Sequence, residues 1–351
     1  MRFSKKRGAI EVQFNWVFVL IVGALILAFF INISTVQKKN ADQTLAFDLL
    51  SRVDLIMSGA LTIPKTGQVF DMPAIDFGVE CSRISTLGVS RQFPGRIVFS
   101  PDTLSGKRLV IWSQDWTVPF KVSNFLYLTT SNVRYVIVSD SNDDYAKQFY
   151  DSLPDNITKE IAPVSALNDL GNYKIRLIFL SKVSTITYDA LIGMQLPAFM
   201  DRMSSTAVTG IYIDESILDS TLVRFIKKDT NNQLNFVGDA IPVYQEPMVF
   251  GAVFADSLEE FNCSIMKAFK KLHYVSEIYG RKESALTDTY SLSSMQECQD
   301  SATTRASDPI GSIANADYGS LSSIIAAIAS NSGTVESRNN FAIAASCAPI
   351  Y

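Results

Sequence analysis

The feature that most constrains this chain is an uncharged run near its start. Between Val12 and Gln37 no side chain carries a charge, and the most apolar part, Phe14 to Ile33, is 20 residues long. As a helix that is about 30 Å, the thickness of a bilayer's hydrocarbon core. A removable signal has a shorter apolar stretch, about 7–15 residues, with a small-residue cleavage site beyond it. Here the run is longer, and Asn32-Ile33-Ser34-Thr35 is a poor cleavage site. The expectation is a cytoplasmic stub over 1–11 and a retained transmembrane helix over 12–36.

Flanking charge sets the orientation. Arg2, Lys5, Lys6 and Arg7 precede the run, whereas Lys38 and Lys39 follow it with Asp42 close behind. The positive-inside bias puts the N-terminus in the cytoplasm and the bulk of the chain outside, as a single-pass protein. Residues 40–351 hold 25 basic and 34 acidic side chains. So acidic a body argues against a nucleic-acid partner, because phosphate binding is driven by Lys and Arg. Four cysteines, an even number, suit an oxidising compartment. Acceptor triplets for N-glycosylation at Asn156-Ile-Thr158 and Asn262-Cys-Ser264 fit the same exterior. Within the span, Ala24 and Ala28 have the small-residue spacing that lets two helices approach, so a homo-oligomer through this helix is a candidate. Leu45, Leu49, Val53, Ile56 and Ala60 then recur at helical spacing, which predicts an extension of the same helix over 37–64, ended by Pro64.

Lys5-Lys6-Arg7-Gly8-Ala9 ahead of an apolar helix resembles the class III signal of archaeal type IV pilin-like proteins. The resemblance implies cleavage between Gly8 and Ala9 by a prepilin peptidase, with the helix retained, and pilus or other envelope subunits as partners. The string from Glu11 to Leu20, with Trp112-Ser-Gln-Asp-Trp116 and Asn124-Phe-Leu-Tyr-Leu128, is similar to a set of single-span envelope proteins of small-genome archaea. It implies a location and no activity.

The exodomain changes character twice. Residues 65–132 read as a β-rich region, with strands at Arg96–Ser100, Lys107–Ser113, Phe120–Val122 and Asn124–Thr130 between Pro and Gly turns. Residues 133–255 alternate strands (Val133–Val138, Tyr173–Leu180, Val208–Ile213, Leu222–Ile226) with helices (Asp143–Leu153, Ala190–Met203). That pattern predicts a Rossmann-like α/β layer. Residues 256–351 form a helical C-terminal region. Ser257-Leu-Glu-Glu260 is a capping box. Leu258, Phe261, Ile265, Phe269, Leu272, Val275 and Tyr279 make one apolar stripe that Gly280 should end. A second helix is expected near Ala285–Glu297. The Ser-, Ala- and Asn-rich residues 299–340 read as partly loop, with a short helix at Tyr318–Ala329. The fold class is therefore an α/β (or α+β) exodomain on a long N-terminal helix.

Chemistry is sparse. The one histidine, His273, sits mid-helix and reads as a solvated face. No G-x-S-x-G, G-x-G-x-x-G or Walker sequence is present, so neither nucleophile-elbow hydrolysis nor a nucleotide cofactor is indicated. Asp140, Asn142 and Asp144 have the alternate spacing that opens a calcium loop, but Tyr145 stands where glycine is needed and Asp151 where glutamate is. The plainer reading is a helix N-cap and first turn. Cys81, Cys263, Cys298 and Cys347 contain no C-x-x-C pair, so no zinc ribbon is encoded. Cys263 lies 17 residues before Gly280 and Cys298 lies 18 after it. Two helices turning at Gly280 would pair Cys263 with Cys298 and leave Cys81 with Cys347.

These features lean away from an enzyme and imply no cofactor. They point to a membrane-anchored cell-surface structural or interaction protein, pilin-like at its N-terminus. The alternatives are an anchored solute- or glycan-binding module, sited at the Asp140 cluster and the aromatic region, and an anchored hydrolase relying on carboxylate or Ser-Lys chemistry.

Overall fold

The structure, a computed structural model, describes residues 8–62, 67–183, 188–215, 221–292, 298 and 308–351, with the backbone alone for 8–15. The basic stub and Pro64 lie outside the described residues.

A single helix, α1, runs for 53 residues from Gly8 to Ala60. It is long and apolar enough, by length and composition, to cross a membrane. Trp16, Phe18, Leu20, Phe29 and Phe30 are all exposed on it. Farther on, Ala46, Leu49, Leu50, Val53, Met57 and Ala60 are buried, the three-and-four spacing of one helix face. The change from exposed to buried apolar side chains occurs without a break in the helix.

The strands of the β-rich region are β1 (Gln68–Asp71), β2 (Phe77–Glu80), β3 (Arg83–Thr86), β4 (Val89–Gln92), β5 (Ile97–Phe99), β6 (Thr103–Leu104), β7 (Arg108–Thr117) and β8 (Lys121–Thr130). They form two sheets, ordered β1-β7-β8-β5 and β4-β3-β2-β6. The two short strands expected at 120–122 and 124–130 are one: β8 pairs antiparallel with β7 from Leu109↔Thr130 to Thr117↔Lys121. Ser123 stays in register opposite Trp116, so no turn separates the halves. The buried face of α1 packs between these sheets with Phe77, Val79, Ile84, Phe93, Leu109 and Ile111. Asp54 of α1 takes ion pairs from Arg91 (2.8 Å) and Arg96. The orphan carbonyls at the end of α1 are met from the sheet: Ser113 Oγ donates to Ala60 O (2.7 Å) and Asn124 Nδ2 to Leu61 O (2.6 Å).

A six-stranded sheet follows, made of β9 (Val133–Ile137), β10 (Thr158–Ile161), β11 (Lys174–Leu180), β12 (Val208–Asp214), β13 (Thr221–Lys228) and β14 (Leu234–Val243). Its order is β10-β9-β11-β12-β13-β14. The first four are parallel and the last two antiparallel. Helix α2 (Asp144–Ser152) lies between β9 and β10. The helix expected at 190–203 is interrupted. It is reduced to α3 (Tyr188–Leu191) and a 3₁₀ turn at Ala198–Arg202, because Gly193 takes φ +74° and Pro197 follows.

The C-terminal helices are α4 (Glu246–Phe254), α5 (Leu258–Ser291), α6 (Pro309–Ala314) and α7 (Leu321–Ala344). Helix α5 is capped at Ser257, whose Oγ accepts from Glu260 N–H (3.2 Å). It does not end at Gly280. It continues for 34 residues, with Gly280 facing Ile310 of α6. Helix α7 occupies much of the stretch expected to be loop; Ile324, Ile325, Ile328, Val335 and Ala342 bury one face of it.

Two disulfides are present, Cys81–Cys263 (Cα–Cα 5.9 Å) and Cys298–Cys347 (5.6 Å). This corrects the expected pairing of Cys263 with Cys298 and Cys81 with Cys347. The uninterrupted α5 carries the chain about 42 Å from Cys263 to its end at Ser291, so the two cysteines lie at opposite ends of one rod. Instead, the β-rich region is bonded to the start of α5, and the C-terminal segment closes on Cys298. One core serves all three regions: Phe99, Trp116 and Tyr127 share it with Tyr135 and Phe225, Phe261 lies against both Phe99 and Phe225, Phe254 against both Tyr127 and Tyr135, and Phe269 against Trp116.

Candidate functional site

The Asp140 cluster caps a helix. Asp143 is the N-cap of α2, its carboxylate accepting from Ala146 N–H (2.8 Å), and Asp144 pairs with Lys147 in the first turn. Asp140 and Asn142 are exposed. None of the cavities described below is lined by Asp140, Asn142 or Asp144. Among the described residues no group of three or more His, Cys, Asp or Glu is placed to hold a metal ion. Most of the region's aromatics are core: Trp116 stacks on Phe125 (5.2 Å) and Trp112 meets Tyr127 (4.8 Å) and Phe250 (5.0 Å). His273 is not merely solvated; its Nδ1 donates to the Ala314 carbonyl (2.8 Å), tying α5 to α6.

The two glycosylation triplets differ. Asn156 is exposed on a turn, with Nδ2 donating to Gly67 O (3.0 Å). Asn262 lies inside α5 with its Oδ1 buried and unpartnered, and the Ser264 hydroxyl of its triplet is spent on Val98 O (2.6 Å). Gly8 and Ala9 open α1 as helical backbone.

The densest charge lies where the three regions meet. Lys174 of β11 donates to Asp102, from the loop between β5 and β6 (2.5 Å), and to Asp256, from the turn between α4 and α5. Two residues along β11, Arg176 is fully buried and donates to Val253 O (3.1 Å) and Ala252 O (2.7 Å), closing the last turn of α4. Burial pushes Asp256 up to about 6 against the pull of Lys174 and Arg176. Burial, with the charges of Asp256, Asp102 and Glu80, pushes Glu260 up to about 8. Burial would lower Lys174, but its two aspartates outweigh that and hold it above the ordinary lysine range. An ammonium so held cannot serve as the base of a Ser-Lys site. The cluster is a joint that locks three regions together.

A cleft lies elsewhere, along α2. One cavity of about 510 Å³ is bounded by the end of α2 (Asp151, Ser152), the turn at 154–156, Trp112 and Gln114 of β7, and Glu246 of α4. A second, of about 290 Å³, is bounded by Tyr145 and Phe149 of α2, by Glu215 just past β12, and by Gln245 and Glu246. The cavities share Ser152 and Glu246, so they adjoin along one flank of α2. The second opens past the carboxyl ends of β9 and β12, the edge where parallel sheets place their sites. There Tyr145 donates to Glu215, which also pairs with Lys182 (2.7 Å), and Lys182 lies over the Tyr145 ring (5.1 Å). Burial and the Glu215 carboxylate push the Tyr145 phenol up, keeping it a donor. Gln245, at the mouth, holds φ +68° and ψ 159°, a region non-glycine residues seldom enter.

The sequence reading of Asp140 missed this cleft, since its walls come from residues 112–114, 151–156 and 245–246. One signal was available. Inward positions of β7 read Val110, Trp112, Gln114, Trp116, so an amide interrupts an apolar row. No protein-family model matches the chain, and comparison with curated proteins and with solved structures finds no match either.

Proposed function

We propose that this chain is a single-span, envelope-anchored structural or interaction protein that carries its exodomain on the continuation of its own anchor helix. The N-terminus is cytoplasmic and the bulk of the chain is outside. One observation carries the reading: α1 passes unbroken from a wholly apolar exposed stretch into a buried face that packs between two sheets. Two disulfides agree with an oxidising exterior. From Lys39 to Ala46, the first buried residue, the helix rises about 10 Å, so the domain stands close above the membrane surface. In this reading β10-β9-β11-β12 is a Rossmann-like layer, supported by four parallel strands with the earliest, β9, inside the sheet. The pilin-like N-terminus adds processing at Gly8, pilus or envelope subunits as partners, and a second copy packing at Ala24 and Ala28.

The test is topology in native membranes. Expected are retention in the pellet after alkaline carbonate, disulfides intact without reductant, and labelling of lysines beyond Lys38 by an impermeant reagent in whole cells. Extraction by carbonate overturns the anchored reading, and labelling that needs permeabilised cells overturns the outward orientation. N-terminal mass analysis decides processing separately: a chain starting at Ala9 supports the pilin-like route, and an intact Met1 removes it.

A further inference from the structure

Asn-x-Ser/Thr triplets occur in the chain at Asn32, Asn156 and Asn262. A glycosyl transferase must reach both ends of such a triplet, the asparagine amide and the hydroxyl two residues on. Asn32 and Ser34 lie in α1, within the apolar stretch proposed to cross the bilayer. Asn262 lies inside α5 with its Oδ1 buried, Cys263 beside it is bonded to Cys81, and the Ser264 hydroxyl is buried against Val98 O. Reaching that triplet means unwinding α5 next to a disulfide.

Asn156 differs in each respect. It is exposed, in the turn between α2 and β10. The turn does not depend on its side chain. Lys159, 4% exposed at its side chain, ties the turn by donating to Tyr150 O (2.8 Å) and Leu153 O (2.7 Å), and Leu153 and Ile157 are buried on either side of it. Asn156 is therefore presented to solvent on a fixed bend. Its amide has two N–H donors, one of which is met by Gly67 O (3.0 Å). Among the described residues the second has no partner, so an amide substituted there keeps its bond to Gly67. Thr158 is the first residue of β10, a four-residue strand at the edge of its sheet. Its hydroxyl donates to Ser131 O (2.7 Å). At the end of an edge strand that single bond is exchanged with little disturbance of the fold.

We infer that Asn156 is the N-glycosylated residue of this chain, taking a saccharide from a lipid-linked phosphate donor. The inference rests on the outward orientation proposed above, since the modification belongs to surface loops on the exterior. In the transfer the bond from Asn156 Nδ2 to the sugar C1 forms, and the bond from C1 to the phosphate oxygen breaks. The lipid phosphate leaves with the electron pair, and the amide proton passes to a base of the transferase.

The full chain, purified from its native membranes, is digested with trypsin and mapped by mass. Residues 148–159 form one peptide and residues 229–267 another. Expected are a saccharide on Asn156 in the first and an unmodified Asn262 in the second. Expressed in the same cells, Asn156→Gln and Thr158→Val each lose the saccharide. Thr158→Ser keeps it, which shows that the hydroxyl is what the transferase needs. An unmodified 148–159 peptide in every copy, a saccharide on Asn32 or Asn262, or a saccharide that survives in Asn156→Gln overturns the assignment. A bare Asn156 on a chain that carbonate leaves in the pellet and that labels in whole cells overturns this inference alone. A chain that labels only in permeabilised cells fails the orientation first.

Discussion

Replacing Lys174 by methionine tests whether the three-region joint is built on charge. The side chain of Lys174 is 4% exposed and that of Asp256 is 7%, while Asp102 is 46% exposed. Methionine keeps the length and removes the ammonium. Asp102 can then turn to water, but Asp256 cannot. Removing one partner of a buried pair costs about 3–5 kcal/mol, because the other charge stays in the core. Asp256 limits that loss by taking up a proton, since burial has already raised it to about 6 and losing Lys174 raises it further. The expected loss for Lys174→Met is about 3 kcal/mol at pH 7.5, and less at pH 5. Adding Asp256→Asn removes the stranded charge while keeping an acceptor for the Asp102 N–H (3.1 Å), so the double variant recovers about 2 kcal/mol at pH 7.5. Guanidinium unfolding of the full chain in nanodiscs, disulfides intact, reports this through the buried Trp112 and Trp116. The reasoning fails if Lys174→Met costs under about 1 kcal/mol, if the double variant is the less stable at pH 7.5, or if the loss grows on acidification.

The wild-type chain should lose stability as pH rises from 5 to 8. Asp256 is raised from 3.8 to about 6 and Glu260 from 4.5 to about 8. Each contributes stability that is full below its unfolded value and lost as pH climbs through its folded value; Asp256 alone accounts for about 1.4 kcal/mol over that interval. A flat or rising profile of unfolding midpoints would refute it. For the disulfides, non-reducing peptide mapping should recover Cys81 linked to Cys263 and Cys298 linked to Cys347, and a Cys263–Cys298 peptide would contradict the fold. The bridges span 182 and 49 residues, for which chain entropy gives about 5 and about 4 kcal/mol. Cys81→Ser/Cys263→Ser should therefore be the more damaging pair in the same unfolding assay.

What was legible in the sequence was local. The Ser257 cap, the stripe from Leu258 to Leu272 and the strands β9, β11 and β12 all follow from side-chain periodicity and turn chemistry. What was not legible depended on partners distant in sequence. Gly280 is a weak helix position, yet packing against Ile310 carries α5 through it, and the disulfide pairing moves with that one change. Residues 321–344 look loop-like by composition, but Ser332 bonds back to Ile328 O and the isoleucines find a core. Lys174 and Arg176 stand in an otherwise apolar strand whose residues are all buried, the same kind of polar intrusion as Gln114 in β7. Such intrusions can be seen in sequence, but the carboxylates, carbonyls or cavities they face cannot.

The alternation of β7 sets the anchor helix and the cleft on opposite faces of one sheet. Its odd-numbered residues, Leu109, Ile111 and Ser113, face α1, and Ser113 closes that helix by bonding Ala60 O. Its even-numbered residues, Val110 and Trp112, belong to the central core, and Trp112 and Gln114 also line the cleft. Successive side chains of a strand point to opposite faces, so the anchor helix and the cleft are separated by the thickness of one sheet. In a membrane-embedded chain the cleft would keep a fixed height and heading above the bilayer.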